Sequence, residues 1–205
     1  MKYKELLKND WVKTGIMLAI VLIAFFSFWF GLRYALASDG ESPLLAVASG
    51  SMVPTLNIGD LIIVHGVSNF SAIYAHPVNG DIIVFHTYVP GGPNLKGGED
   101  ELIVHRAIDK TLKNDGHWYF NTEGDHNGVP DPWDTRSYAN GNGVPDYYIV
   151  GKVVGTVPWI GSIPLFIRTP EGLVTVIVLI IIVVLAEFIF SSVREKKKPP
   201  IEAQS

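Results

Sequence analysis

The chain contains no cysteine among its 205 residues. That excludes a thiol nucleophile, a thiolate metal site, an iron–sulfur cluster and a disulfide framework. It also lacks an excess of basic charge: 16 Lys and Arg face 20 Asp and Glu, a formal charge of −4. A phosphate-neutralising nucleic-acid surface is therefore not expected. The six histidines are His65, His76, His86, His105, His117 and His126, and none pairs with another at H-x-x-x-H spacing. A zinc site is accordingly not expected, nor any other metal or cofactor. Charge is missing altogether from residues 15–32, an 18-residue apolar run. A second run, 172–193, carries only Glu187.

Both runs are long enough to cross a bilayer as helices, and they account for the mean hydropathy of +0.26. The expected layout is a basic tail over 1–14, a transmembrane helix over 15–37, a domain over 38–171, a second transmembrane helix over 172–193 and a basic tail over 194–205. The tails carry Lys2, Lys4, Lys8 and Lys13 at one end and Arg194, Lys196, Lys197 and Lys198 at the other. Short basic flanks stay in the cytosol, so the middle segment is expected on the far side of the membrane. The 7 basic and 14 acidic residues of 38–170 fit that side, as does the sequon Asn69-Phe70-Ser71. Ala35-Leu36-Ala37 offers a rival reading of the first run as a cleavable signal peptide. The run exceeds a usual signal core, and Arg33 interrupts the approach to the site. Glu187 lies near the cytosolic end of its run, where its carboxylate can reach the interface.

The middle segment reads as all-β and barrel-like. Short β-branched runs fall near 43–49, 61–67, 81–88, 101–109, 117–122 and 147–157, separated by turn signals such as Asn79-Gly80. No helical period of useful length stands between them. The stretch 123–146 is a long Gly/Asn/Asp/Pro-rich loop holding the unit Asn-Gly-Val-Pro-Asp twice, at 127–131 and 142–146.

The most informative stretch is Ser49-Gly50-Ser51-Met52-Val53-Pro54-Thr55-Leu56, followed by Gly59-Asp60. Gly50 lets another backbone approach beside a serine, and Pro54 fixes the chain behind it. Taken with four later segments, it resembles the serine box of type I signal peptidases. Those segments are Gly80-Asp81-Ile82-Ile83-Val84-Phe85, Ile103-Val104-His105-Arg106, Thr122-Glu123-Gly124-Asp125-His126-Asn127 with Asp131, and Gly151-Lys152-Val153-Val154-Gly155. They match the family in order over about 45–155. A His where the bacterial branch has Lys is the mark of the branch found in archaea and the endoplasmic reticulum.

The resemblance implies a membrane-bound serine endopeptidase that cuts after small residues at −3 and −1 of a signal peptide. It implies Ser51 as nucleophile, His105 as general base and Asp131 as the triad acid, with Asp125 assisting. The Ser51 N–H and the Ser49 hydroxyl would hold the oxyanion. The chemistry agrees: a serine hydroxyl needs a base, imidazole titrates near neutrality, and a carboxylate fixes its tautomer. Asp134 and Asp146 stay open as alternatives for the acid, and Met52 is either membrane-facing or core. Implied partners are preprotein signal peptides and the lipid bilayer, with the protein-export translocon as a further candidate. The expected membrane is the archaeal plasma membrane, with the endoplasmic reticulum as alternative.

Two other readings compete. Asp125-x-Asn127-Gly128-x-x-Asp131 and Asn140-x-Asn142-Gly143-x-x-Asp146 look like fragments of calcium loops, which would suit a non-catalytic, membrane-anchored surface module. Alternatively Lys110 or Lys113, rather than His105, serves Ser51 as base.

Overall fold

The computed structural model describes residues 10–36, 42–88, 95, 100–132 and 143–196. Its centre is one seven-stranded sheet. The strands are β1 (Leu44–Ala46), β2 (Leu61–His65), β3 (Ile82–His86), β4 (Leu102–Leu112), β5 (Trp118–Glu123), β6 (Val144–Pro145) and β7 (Ile149–Val157). Their order across the sheet is β1-β2-β7-β3-β4-β5-β6, and every neighbouring pair is antiparallel. The six expected strands are all present. The seventh, β6, is only two residues long and includes a proline, too short for a sequence pattern to register. A proline is tolerated there because β6 is an edge strand. Among the described residues β1 and β6 do not pair, so the sheet has two edges and the barrel expectation is corrected to an open sheet.

Alternation along the strands buries both faces. On β3, Ile83 and Phe85 enter a core with Ile73, Leu95, Ala107, Phe120, Val144 and Tyr148. Val84, between them, enters a second core with Val47, Met52, Leu56, Ile62 and Val64. A strand buried on both faces reads as a continuous apolar run, as Ile82-Ile83-Val84-Phe85 does. Met52 and Leu56 anchor the segment after Ser51 in that second core, so Met52 is a core residue.

Helix α1 (Asp10–Ala35) precedes the sheet; α2 (Ser162–Ile167) and α3 (Pro170–Lys196) follow it. The six-residue α2 falls where no helix was expected, having less than two turns in which to show a period. Val12–Ala35 is long and apolar enough to cross a membrane, and none of it is buried against the rest of the chain. A helix apolar on all sides and uncovered by protein is matched to lipid. Within α3 the described apolar stretch is Pro170–Ala186, 17 residues, just under a spanning length by that measure. The expected second span is therefore not established by the fold.

Candidate active site

Three segments from different parts of the sheet meet at one point. Ser51 lies on the β1–β2 connection, whose Val53–Pro54 peptide is cis. His105 lies within β4, opposite Ile83 of β3. Asp131 lies beyond β5, tied back to that strand by its N–H donating to the Thr122 carbonyl at 2.9 Å.

The Ser51 connection is seated on the turn after β5. His126 N–H donates to the Ser51 carbonyl at 2.8 Å. At Gly124 a Cβ would stand 2.7 Å from the same oxygen, closer than a carbon can approach. Glycine there is a steric requirement of placing the serine.

His105 Nε2 is 3.1 Å from Ser51 Oγ, and His105 Nδ1 is 2.5 Å from Asp131 Oδ2. Asp131 Oδ2 also accepts from Thr122 Oγ1 at 2.7 Å. His105, Asp131 and Thr122 are all buried, while Ser51 borders a cavity. The order is serine hydroxyl, imidazole, buried carboxylate, each within hydrogen-bond reach of the next. This arrangement lets imidazole take a hydroxyl proton and lets a fixed anion stabilise the resulting imidazolium.

The catalytic subunit sec11 of the signal peptidase complex of Sclerotinia sclerotiorum is 35% identical over 162 residues, covering 77% of this chain and 81% of that protein. Its Metarhizium robertsii counterpart is 32% identical over the same shares. Subunit SEC11C of Homo sapiens is 30% identical over 167 residues, 80% of this chain and 77% of its own. The chain belongs to the type I signal peptidase family. No family model matches it. Membership makes it a serine endopeptidase. These relatives are eukaryotic, so they lend no support to the archaeal assignment.

In this signal peptidase Asp125 meets Arg106 rather than His105. Arg106 Nε donates to Asp125 Oδ1 at 2.8 Å and Nη2 to Oδ2 at 2.6 Å, a two-pronged pair. Arg106 Nη1 donates to the Gly80 carbonyl at 2.7 Å, and the Thr55 hydroxyl donates to Asp125. Burial alone would raise the Asp125 pKa. The hydrogen bonds from Arg106 and Thr55, with the positive charge beside it, outweigh that and hold it below the ordinary carboxylate value. This network joins the serine connection, β4 and the turn after β5. Thr55 and Thr122 stand inside the matched segments, but nothing in the sequence assigns either of them a role.

The other candidates stand elsewhere. Asp146 accepts from Trp118 N–H at 2.9 Å and lies 2.8 Å from His117 Nδ1, so its carboxylate fastens the start of β5. Asp134, Asn140 and Asn142 lie outside the described residues. In the first calcium-loop fragment Asp125 is held by Arg106 and Asp131 by His105. Lys110 donates through Nζ to the carbonyls of Ser71 and Ile73, each at 2.6 Å, which fixes it away from Ser51. Lys113 lies over the Tyr119 ring.

A cavity of about 390 Å³ opens beside Ser51 between the β1 segment and the start of β4. Ala46, Ala48, Met52, Leu102 and Val104 supply apolar walls, and Ser49, Ser51 and His105 bring the chemistry to its edge. Ser49 Oγ lies 3.4 Å from Ser51 Oγ. Which residues form this wall follows from strand adjacency in space, and the sequence did not display it.

Proposed function

We propose that the protein removes signal peptides from exported preproteins by cutting after small residues at −3 and −1, with Ser51 attacking the scissile carbonyl. His105 Nε2 takes the hydroxyl proton as attack proceeds and returns it to the leaving amine. Asp131 holds the Nδ1 proton in place and stabilises the imidazolium, and Thr122 orients Asp131. The tetrahedral oxyanion is held by the Ser51 N–H and the Ser49 hydroxyl. Water then hydrolyses the acyl-enzyme with the same base. The observation that carries this reading is the continuous Ser51–His105–Asp131 contact. The alanine-lined cavity beside it suits small side chains. Asp125 keeps Arg106, the serine connection and β4 in register.

In this reading α1 anchors the chain, α3 is the second span, both tails are cytosolic and the sheet lies on the far side. The eukaryotic relatives favour the endoplasmic-reticulum membrane over the plasma membrane. They are named as subunits of a complex, and partner subunits are proposed here too, with the export translocon delivering substrate. The test uses full-length protein in detergent with a signal-peptide-bearing precursor, wild type beside Ser51→Ala. Cleavage after a small residue by the wild type alone is expected. Equal cleavage by both would overturn the assignment of Ser51.

A further inference from the structure

The chain holds one Asn-x-Ser/Thr sequence, Asn69-Phe70-Ser71, and the proteolytic site makes no use of it. It lies on the β2–β3 connection, where Phe70–Ala72 forms a single turn of 3₁₀ helix. That turn is fixed to the domain from its inner side. Phe70 packs against the core that holds Ile83 and Phe85, and Ile73 is buried within it. Lys110 Nζ donates to the carbonyls of Ser71 and Ile73, each at 2.6 Å. Ser68, Asn69, Ser71 and Ala72 are left exposed. None of them lines the cavity beside Ser51.

The Asn69 amide is engaged through its oxygen alone. Oδ1 accepts from the Ser71 N–H at 3.2 Å and from the Ser71 hydroxyl at 2.7 Å. Nδ2 makes no hydrogen bond to a described residue. A sugar joined to Nδ2 leaves the amide with one N–H and the same Oδ1, so both bonds to Ser71 are kept. The folded domain therefore accepts a large polar group at this point without losing a contact. The middle residue is Phe70 rather than proline, as an acceptor sequence requires.

Reach is sufficient as well. A lipid-linked sugar donor is held at the membrane, so the acceptor has to come to it while the chain is extended. Asn69 is 34 residues beyond Ala35, where α1 ends, and that length of extended chain covers roughly 110 Å. Folding then draws the acceptor back. Leu36, just after α1, accepts from Gly66 N–H at 2.8 Å, and Asn69 follows within about 10 Å of chain. A glycan there stands beside the foot of α1.

We propose that Asn69 is an N-glycosylation acceptor on the exported face of the sheet domain. The proposal rests on the topology given under Proposed function, because glycosyl transfer of this kind takes place on the exported side. In the step, Asn69 Nδ2 attacks C1 of a lipid-linked oligosaccharide phosphate. The Nδ2–C1 bond forms, the C1–O bond to phosphate breaks, and the lipid phosphate leaves while Nδ2 gives up one proton. The Ser71 hydroxyl is the recognition group two residues on.

Full-length chain synthesised into rough microsomes tests this, since those membranes supply both transferase and lipid-linked sugar. The wild type should gain the mass of one glycan, removable by an amidase specific for Asn-linked sugar. Asn69→Gln and Ser71→Ala should each lose that shift completely, and Ser71→Thr should keep it. Topology is read separately by adding Asp109→Asn to the Asn69→Gln chain. That substitution sets an acceptor ahead of Lys110-Thr111, at an exposed position of β4, and keeps a side-chain oxygen for the Lys110 N–H. The shift should return. A shift from the Asp109→Asn chain with none from wild type would overturn Asn69 as acceptor and leave the topology standing. A shift from neither would overturn both. Glycosylated wild type and Asn69→Gln should cleave a precursor at the same rate. A slower glycosylated enzyme would show that the sugar is not accommodated where the geometry puts it.

Discussion

Replacing Asp131 by Asn keeps the side chain's volume and removes its charge. Asp131 Oδ2 accepts from both His105 Nδ1 and Thr122 Oγ1, at 2.5 and 2.7 Å. An Asn with its carbonyl oxygen in that position still accepts from both, so the fold and the imidazole tautomer are kept. What is lost is the attraction between the carboxylate and the positive charge that His105 acquires in the transition state. At a charge separation of roughly 4 Å and an effective dielectric near 20, that attraction is about 4 kcal/mol. The corresponding rate factor is about 10³. Single-turnover cleavage of a precursor by full-length enzyme, with a melting curve for each variant, should show a fall of about that size in the chemical step and little change in stability. A loss below about tenfold would refute the assignment of Asp131, and an equal loss from Asp146→Asn would reassign it.

Asp125→Asn should differ from Asp131→Asn by lowering stability, because it leaves the buried Arg106 guanidinium without its anion. Removing one partner of a fully buried pair costs about 3–5 kcal/mol, and less here because the Asp125 side chain is 15% exposed. Loss of activity with no change in melting would instead make Asp125 the catalytic acid. The same carboxyl gives a pH signature. Its pKa is held below the ordinary 3.8, so its stabilisation is present above that value and is lost as pH falls through the lower, folded-state pKa. Acid melting of the wild type should therefore steepen below about pH 4, and Asp125→Asn should flatten that limb; unchanged curves would refute the depressed pKa. Gly124→Ala should displace the serine, since its Cβ would meet the Ser51 carbonyl at 2.7 Å, and cut cleavage by about 10²-fold. Wild-type rates in that variant would show that the turn does not seat Ser51. Lys110→Met should retain the wild-type rate, and its inactivation with an intact fold would restore the lysine base.

What could be read in the sequence is what local chemistry imprints on it. The strands appear as β-branched runs between Gly, Asn and Pro signals, and the matched segments near Ser51, His105 and Asp131 are ones whose side chains come together. The features that escaped depend on neighbours brought together by folding. β6 is two residues long and exists because β5 is beside it, with Phe120 opposite Val144 and Tyr119 opposite Pro145. Among four candidate carboxylates in one loop, composition cannot choose. Of the three that the structure describes, Asp125 meets a guanidinium, Asp131 an imidazole, and Asp146 a backbone N–H with His117, none of which is a sequence neighbour. The barrel expectation failed for a related reason: alternation shows that strands exist and which faces are apolar, but not whether the first strand meets the last.

The Ser51–His105–Asp131 distances are set by sheet register more than by the loops that carry Ser51 and Asp131. Ala107 on β4 lies opposite Thr122 on β5, and a register irregularity follows between Ala107 and Asp109. Thr122 holds Asp131 twice, through its carbonyl to the Asp131 N–H and through its hydroxyl to the carboxylate. Asp131 is thereby placed relative to β5, and β5 is placed relative to His105 by the β4 pairing. On the other side of β4, Ile83 opposite His105 is fixed by burial on β3. A slip of one residue in either pairing would turn His105 to the opposite face and separate all three groups at once. Only Ser51 comes from outside this ladder, and it is the member held by a separate set of contacts: His126 N–H, the bare Cα of Gly124, and Met52 and Leu56 in the second core. The site is therefore two rigid parts, a ladder bearing His105 and Asp131 and a seated connection bearing Ser51. The Arg106–Asp125–Thr55 network spans the join between them. Substitutions there are expected to change the Ser51–His105 distance while leaving the His105–Asp131 contact intact.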